Sequence, residues 1–137
     1  MDNIKVTNNL GVINRFLELL KSKKLTVEEL NLHVHNYLVY EKDNEIVGFI
    51  GYSVYYDRSE IDYLYVLEEY RNMDIAKSLL NYVIQKCKNK CINITLEVNE
   101  NNFIAIELYK KMGFREIKII DNYYKNENGL LMIKEFD

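Results

Sequence analysis

The chain contains no proline and no tryptophan. Without proline, each helix must be stopped by glycine, asparagine or lysine. The plentiful residues are Asn, Lys, Ile and Tyr, which reads as a codon-composition bias rather than a functional signal. Cysteine is scarce as well, with two in 137 residues, too few for a disulfide framework. Cys87 and Cys91 lie four apart where a helix gives way to a strand, with no further ligands nearby to complete a metal site. They read as buried or half-buried free thiols. His33 and His35 are the only histidines. Their spacing could be half a metal site, but no carboxylate or thiol pattern completes it, so they read as solvated or loosely packed and no metal is expected. A positive charge excess is also missing: 18 basic against 21 acidic residues give −3. That excludes a nonspecific nucleic-acid binder, while mild acidity suits a cationic partner such as an amine. No run approaches the ~18 apolar residues of a membrane span. The start MDNIKVTNN has no signal-peptide anatomy. No membrane partner is expected, and the expected address is the cytoplasm.

What is present is ordinary globular composition, 48% hydrophobic and 28% charged. A chain of this length buries roughly two-thirds of its unfolded surface, so one domain over 1–137 is expected without staples.

Ile4 and Val6 alternate with polar neighbours and predict a short first strand. Val12, Ile13, Phe16, Leu17 and Leu20 recur at helical spacing and predict a helix over about Asn9 to Lys23. Thr26-x-x-Glu29 is a capping-box pattern and predicts a second, short helix. Tyr37 to Glu41 reads as a strand, Asp43-Asn44 as a turn, and Ile46 to Tyr55 as the returning strand. Asp57-Arg58-Ser59 turns into a strand over Glu60 to Val66. Ile75, Ala76, Leu79, Leu80, Val83, Ile84 and Cys87 mark one face of a helix. Ile92, Ile94 and Leu96 alternate into Val98 as a strand. Ala105, Leu108, Tyr109 and Met112 mark a last helix, which Gly113 stops. Arg115 to Ile120 and Leu130 to Glu135 are two final strands around a polar loop. The order β-α-α-β-β-β-α-β-α-β-β predicts an α/β (α+β) fold. Its mixed, mostly antiparallel sheet has about seven strands with helices on both faces.

Two segments could carry chemistry. In IDYLYVLEEYRNMDIAKSLL a strand feeds a helix through a tight turn. The N–H groups at the helix start and its dipole suit an anion, and Arg71 adds a fixed positive charge. An ordinary connection between strand and helix would look much the same. In LEVNENNFIAIELYKKMGF, Glu97 lies near the end of an apolar strand, in alternation with Thr95 and Asn99. Tyr109 falls twelve residues later on the apolar stripe of the next helix, and a buried tyrosine hydroxyl needs a partner. The two could meet over one pocket, or be a solvated rim glutamate and a core tyrosine. Glu60, Asp62, Glu68, Glu69 and Glu100 stand where they could attract a cation, or are simply solvated.

Together these segments resemble the GNAT superfamily of N-acetyltransferases. The family's acetyl-CoA motif, Arg/Gln-x-x-Gly-x-Gly/Ala, stands here as Arg71-Asn72-Met73-Asp74-Ile75-Ala76. Leu96, Glu97, Val98, Asn102, Ala105, Ile106, Leu108, Tyr109, Gly113 and Phe114 are similar to the pattern of the ribosomal-protein-alanine N-acetyltransferases. Asn122-Tyr123-Tyr124 and Leu131-Met132 resemble that subfamily's C-terminal stretch. The resemblance covers about Tyr37 to Lys134. It implies transfer of an acetyl group from acetyl-CoA to a primary amine, either a protein N-terminus or a small molecule. The pyrophosphate would lie on N–H groups from about Met73 to Ser78, including Ile75, Ala76 and Lys77, beside Arg71 and Asn72. The pantetheine arm would pair with backbone near Leu64 and Val66, Asn102 would hydrogen-bond the cofactor, and Tyr109 would touch it. Glu97 would be general base and Tyr109 general acid, with Tyr123 and Tyr124 toward the acceptor. A monomer or homodimer is implied.

That chemistry is reasonable on its own terms. A protonated amine must lose a proton to attack a thioester, and a carboxylate can take it directly or through a water. A backbone N–H can hold the developing oxyanion. A phenol can give the departing thiolate its proton. The family's fourth motif position is glycine, where this chain has Asp74. Aspartate tolerates positive φ better than most residues, but its carboxylate would compete with pyrophosphate for the same donors. The subfamily's arginines before the Tyr-Tyr pair are Ile120-Asp121 here, and its Pro-Trp-Ser near the first helices is missing. Two other readings remain beside the enzyme: a CoA-binding module that has lost turnover, and an interaction domain docking through a sheet edge.

Overall fold

The computed structural model describes residues 3–137. Seven strands form one sheet in the order β1-β2-β3-β4-β5-β7-β6. They are β1 (Ile4–Val6), β2 (His35–Lys42), β3 (Glu45–Tyr55), β4 (Arg58–Val66), β5 (Asn93–Asn99), β6 (Arg115–Tyr124) and β7 (Glu127–Glu135). Each neighbouring pair is antiparallel except β4 with β5. That parallel pair needs a crossover, which α2 (Ile75–Cys87) supplies. The remaining helices are α1 (Leu10–Leu19) and α3 (Phe103–Lys111).

Strand alternation divides the core between two faces. Tyr37, Val39 and Phe49 pack on one face against Ile13, Phe16 and Leu17 of α1. The Phe16 and Phe49 rings stack there, 5.1 Å between centroids. Leu38, Val47 and Ile50 pack on the other face with Leu79, Leu80 and Val83 of α2 and Ile106 and Tyr109 of α3. Helices therefore cover both faces of the sheet, as the sequence predicts. Asn9 caps α1 by accepting from Val12 N–H at 3.1 Å. Asp43 and Asn44 both take positive φ, 54° and 65°, which a two-residue hairpin turn of this hand requires.

Two expectations are corrected. The capping box at Thr26 and Glu29 forms in both directions, with Thr26 N–H donating to Glu29 at 2.9 Å and Glu29 N–H to Thr26 Oγ1 at 3.3 Å. No helix follows it, only turns. The next turn is diverted when the Asn31 side chain accepts from His33 N–H, and Leu30 alone of residues 27–33 packs on the core. Second, the polar loop expected from Asp121 to Asn128 is mostly strand. β6 runs on to Tyr124, and its register to β7 shifts between Ile120 and Tyr124. The chain turns at Asn126, with φ 62°.

Candidate functional site

β4 and β5 are paired over only three residues, Arg58, Ser59 and Glu60 against Asn93, Ile94 and Thr95. Beyond that point the strands part, and a cleft of about 530 Å³ opens between them. Ile61, Asp62, Tyr63 and Leu64 line one wall and Leu96, Glu97, Val98 and Asn99 the other. Asn102 and Tyr109 also border it, with Tyr123 and Tyr124 of β6 and Leu20 and Ser22 after α1.

Glu97 reaches the cleft by strand alternation. Ile94, Leu96 and Val98 face the core shared with α2 and α3, so Thr95, Glu97 and Asn99 face the opposite side. Its Oε2 is buried and finds no hydrogen-bond partner among the described residues. A buried carboxylate oxygen left unpaired is costly, and marks a place where a donor is expected to come. The Glu97 carboxylate beside its hydroxyl, then burial, pushes the Tyr123 phenol up to about 12.

Tyr109 arrives from the other face, and the helix end positions it. Gly113 takes φ 98° just past α3. Its N–H reaches Lys110 O at 3.0 Å, and Phe114 N–H reaches Tyr109 O at 2.9 Å. This paired closure is the Schellman motif, which asks for a glycine at that position and an apolar contact across the turn. The contact is Phe114 on the Tyr109 ring, centroids 5.9 Å apart. Tyr109 is 8% exposed. Its hydroxyl makes no hydrogen bond among the described residues, and it borders the cleft. Burial, with Tyr124 adding to it, pushes the phenol up to about 12.

Around α2 the chain leaves a row of free donors. The backbone N–H groups from Asn72 to Lys77 have no acceptor among the described residues, and the first intrahelical bond at this end is Ser78 N–H to Asp74 O, 3.0 Å. Asn72 and Asp74 both stand at positive φ, 67° and 60°. Asp74 therefore occupies the conformation for which glycine is the usual residue. Its side chain makes no capping bond, so the helix-start donors stay open. Met73 is exposed, Ile75 anchors in the core, and Ala76 packs against it. Arg71 is held by its Nε–H to Val66 O at 2.9 Å and by lying over the Tyr65 ring. Leu67 N–H bonds back to Val47 O on β3. Alternation then turns the backbone of Val66 and Leu64 toward the open side of β4, although Arg71 already occupies the Val66 carbonyl. Asn102 spends its side-chain oxygen capping α3, accepting from Ala105 N–H at 3.2 Å.

Two acidic residues are more central than sequence suggests. Glu60 and Asp62 share the face of β4 that borders the cleft. Burial, then the charge of Asp62, pushes Glu60 up to about 7. Burial also raises Asp62, against the lowering effect of a hydrogen bond from Ser53. Their i, i+2 spacing on a half-apolar strand was the available signal. Glu68 and Glu69, by contrast, are exposed in a short 3-10 helix. Glu100, just past β5, keeps a buried oxygen with no partner among the described residues. His35 is not loosely packed: its Nδ1 lies 2.7 Å from Ser53 Oγ. Both cysteines are buried free thiols. Among the described residues no group of His, Cys, Asp or Glu is arranged to hold a metal ion, and no helix is long and apolar enough to cross a membrane.

The profile of the acetyltransferase (GNAT) family matches residues 13–114. A Bacillus subtilis (strain 168) protein, provisionally named a [ribosomal protein bS18]-alanine N-acetyltransferase, is 34% identical over 105 residues, 74% of this chain and 69% of its own. An N-alpha-acetyltransferase of Sulfurisphaera tokodaii is 33% identical over 121 residues, 77% of this chain and 72% of its own. The crystal structure of the ribosomal-protein-S18-alanine N-acetyltransferase from Escherichia coli superposes with a TM-score of 0.85. That match covers 98% of this chain and 93% of that one at 19% identity, a likeness of fold. The chain belongs to the acetyltransferase (GNAT) family and is an acetyl-CoA-dependent N-acetyltransferase.

Proposed function

We propose that the whole chain works as one acetyl-transfer domain whose acceptor is a protein N-terminal amine. Glu97 is the general base and Tyr109 the general acid. The observation that carries this reading is the meeting of two unsatisfied groups at the β4–β5 opening. One is the unpartnered buried oxygen of Glu97, and the other is the phenol of Tyr109 from the opposite face.

The residues present fit acetyl-CoA. The unpaired N–H groups of Asn72, Met73, Asp74, Ile75, Ala76 and Lys77 suit a pyrophosphate at a helix start, with Ser78 closing the first turn and Arg71 beside them. The backbone of Leu64 and Val66, turned to the open side of β4, suits a chain laid along it like an added strand. Asn102 retains its amide NH₂ for a carbonyl. Bound there, the cofactor supplies the activated acetyl group as a thioester.

The chain's own residues do the rest. Glu97 takes a proton from the acceptor ammonium, which frees the nitrogen lone pair for attack. Tyr109 gives its hydroxyl proton to the departing thiolate. A phenol held near 12 stays protonated across the working range, so the acid form is always loaded. Tyr123 and Tyr124 wall the acceptor side, with the Tyr123 hydroxyl beside the Glu97 carboxylate.

A second reading, a small polycationic amine, is favoured by three carboxyls on one cleft: Glu60, Asp62 and Glu97. Thiol release from acetyl-CoA, measured over peptides with different N-termini and over polyamines and aminoglycosides, separates the two. Peptide-dependent release supports the first, polyamine-dependent release the second. No release with any acceptor, together with tight CoA binding, would leave a binding module.

A further inference from the structure

The geometry points to a proton exit: a hydrogen-bonded chain from Asp62, beside Glu60, through Ser53 to His35 carries the acceptor's proton out of the catalytic cleft to a second cleft on β2. The inference rests on the reading that the β4–β5 cleft is where an amine is deprotonated.

Three strands bring the chain together. His35 is opposite Ser53 in the β2–β3 register, and Ser53 is opposite Glu60 in the β3–β4 register. The register then slips between Gly51 and Tyr52, which face Tyr63 and Ile61 and leave Asp62 without an opposite residue. This is a β-bulge, a device that re-aims a side chain. Here the re-aimed side chain is a carboxylate, and Asp62 Oδ2 accepts from the Ser53 hydroxyl. Ser53 is 0% exposed, and the His35 Nδ1 on its other side is 2.7 Å away. At the inner end Glu60 stands beside Asp62 on the same face of β4, and both border the cleft with Glu97. Two neighbouring, half-buried carboxyls hold a proton between them rather than ionise together. At the outer end His35 lines a cleft of about 230 Å³ with Thr7, Asn8 and Asn36. Tyr55 stands edge-on to the His35 ring, 6.5 Å between centroids.

A buried serine bonded on both sides could serve only to satisfy its neighbours. What distinguishes this one is its ends. A proton-holding pair opens into one cleft and an imidazole into another. Imidazole can accept a proton on one nitrogen and release one from the other.

The steps balance. An N–H bond of the acceptor ammonium breaks and leaves its electron pair on nitrogen, and the proton reaches the carboxyl pair by way of Glu97. Asp62 as an acid then donates to Ser53 Oγ, whose own hydroxyl proton passes to His35 Nδ1. The imidazolium releases its Nε2 proton to water in the second cleft. The net result is one proton moved from ammonium to solvent, with no electrons transferred. A half-turn of the imidazole, which brings its bare nitrogen back to Ser53, and a turn of the Ser53 hydroxyl from Asp62 toward it reset the chain. His35 and Ser53 touch no reacting atom and act through Asp62.

His35→Ala and His35→Gln are the informative variants, because Ser53→Ala orphans Asp62 and can fail to fold. Each is assayed as the full chain with acetyl-CoA and a peptide bearing an N-terminal alanine. Both should lose kcat by about tenfold with KM for acetyl-CoA unchanged. The solvent isotope effect on kcat should rise as proton exit becomes limiting. Added imidazole should restore His35→Ala, where it can enter, but not His35→Gln. Wild-type kcat in both variants overturns the relay. So does a loss that imidazole cannot restore and that leaves the isotope effect unchanged, since His35 then merely packs Asp62. If these variants behave as wild type while Glu97→Gln is inactive, the transfer reading stands and the relay alone fails.

Discussion

β5 has two neighbours and treats them oppositely. Against β7 it is registered along its whole length, from Asn93 opposite Glu135 to Asn99 opposite Gly129. Against β4 it is registered at three residues and then lets go. The closed side is held by apolar alternation, with Leu96 and Val98 opposite Met132 and Leu130. The open side carries Glu60, Asp62 and Glu97, which repel one another when ionised. Backbone groups on a parted edge need partners as much as those within a sheet do. The same strand thus supplies rigidity through one edge and an unpaired backbone edge through the other. That is how one strand can hold a site in place and line it.

The largest effect should come from removing the charge that faces the open side. Glu97→Gln keeps the shape of the side chain and its place on β5. We expect kcat to fall by about 10²–10⁴, with CoA affinity, measured by calorimetry, close to wild type. Near wild-type turnover at neutral pH would assign the proton to another group, for which Glu60 on the same cleft is the alternative.

Tyr109→Phe tests the opposite wall. The Schellman turn and the Phe114 contact use the backbone and the ring, neither of which changes. Only the hydroxyl is lost, and it has no partner among the described residues, so stability should move by less than about 1 kcal/mol. Turnover should fall by about 10². Because burial raises the phenol to about 12, the wild-type rate should stay level through about pH 10 rather than fall as an ordinary tyrosine ionises. A pH–rate profile of both proteins checks this.

How far the sequence foretells all this differs between the two edges of β5. The closed side was legible because its signals are local. Alternation of Ile94, Leu96 and Val98 gives the strand, and Gly113 ends α3 where positive φ is needed. The open side was legible only in part. Glu97 and Tyr109 could be singled out, but their meeting depends on where β4 stops pairing with β5. That stopping point is a balance among residues more than thirty apart in sequence. The bulge that swings Asp62 toward Ser53 is likewise invisible in IDYLYV, and with it the role of His35. The failed helix after Thr26 shows the converse. Its local capping bonds form, but caps do not sustain a helix without an apolar stripe to bury. The length of β6 was missed because Tyr123 and its neighbours read as polar loop. Gly129 explains it: a Cβ there would stand 2.9 Å from Tyr123 Cβ, so this glycine of β7, registered with Ile120, makes room for the ring on the strand.

Glu60→Gln sharpens the comparison through pH. The raised value means that the folded protein keeps a proton on Glu60 between its ordinary value of 4.5 and about 7, where the unfolded chain has released it. The stability linked to that proton is complete below about pH 4.5 and is lost as pH rises through about 7. Glutamine has no proton to lose. Thermal melts should therefore show the variant gaining on the wild type between pH 5 and pH 8, by a margin that water at the cleft keeps modest. An equal difference in Tm at both pH values would mean that Glu60 is ordinary and solvated.

The smallest expected effect lies at the far end of the open side, where α2 begins. Asp74 stands at φ 60° and ψ 20° with no capping bond from its side chain. Asp74→Gly relieves the left-handed backbone, because glycine adopts positive φ freely, but it also frees the unfolded chain. Those two changes oppose each other, so Tm without ligand should barely move. The carboxylate is a separate matter. Asp74 belongs to the run of unpaired N–H groups of residues 72–77, where an incoming pyrophosphate would meet its charge across partly screened solvent. Removing it should tighten CoA by about fivefold, on the order of 1 kcal/mol. The thermal shift from CoA at a fixed concentration should grow with that affinity. Calorimetry distinguishes the contributions: Asp74→Asn keeps the backbone preference and loses only the charge, so it should reproduce most of the gain. If Asp74→Gly tightens CoA and Asp74→Asn does not, the penalty is one of backbone rather than charge. If neither does, the carboxylate points away from the cradle and the helix start already binds as well as one with glycine.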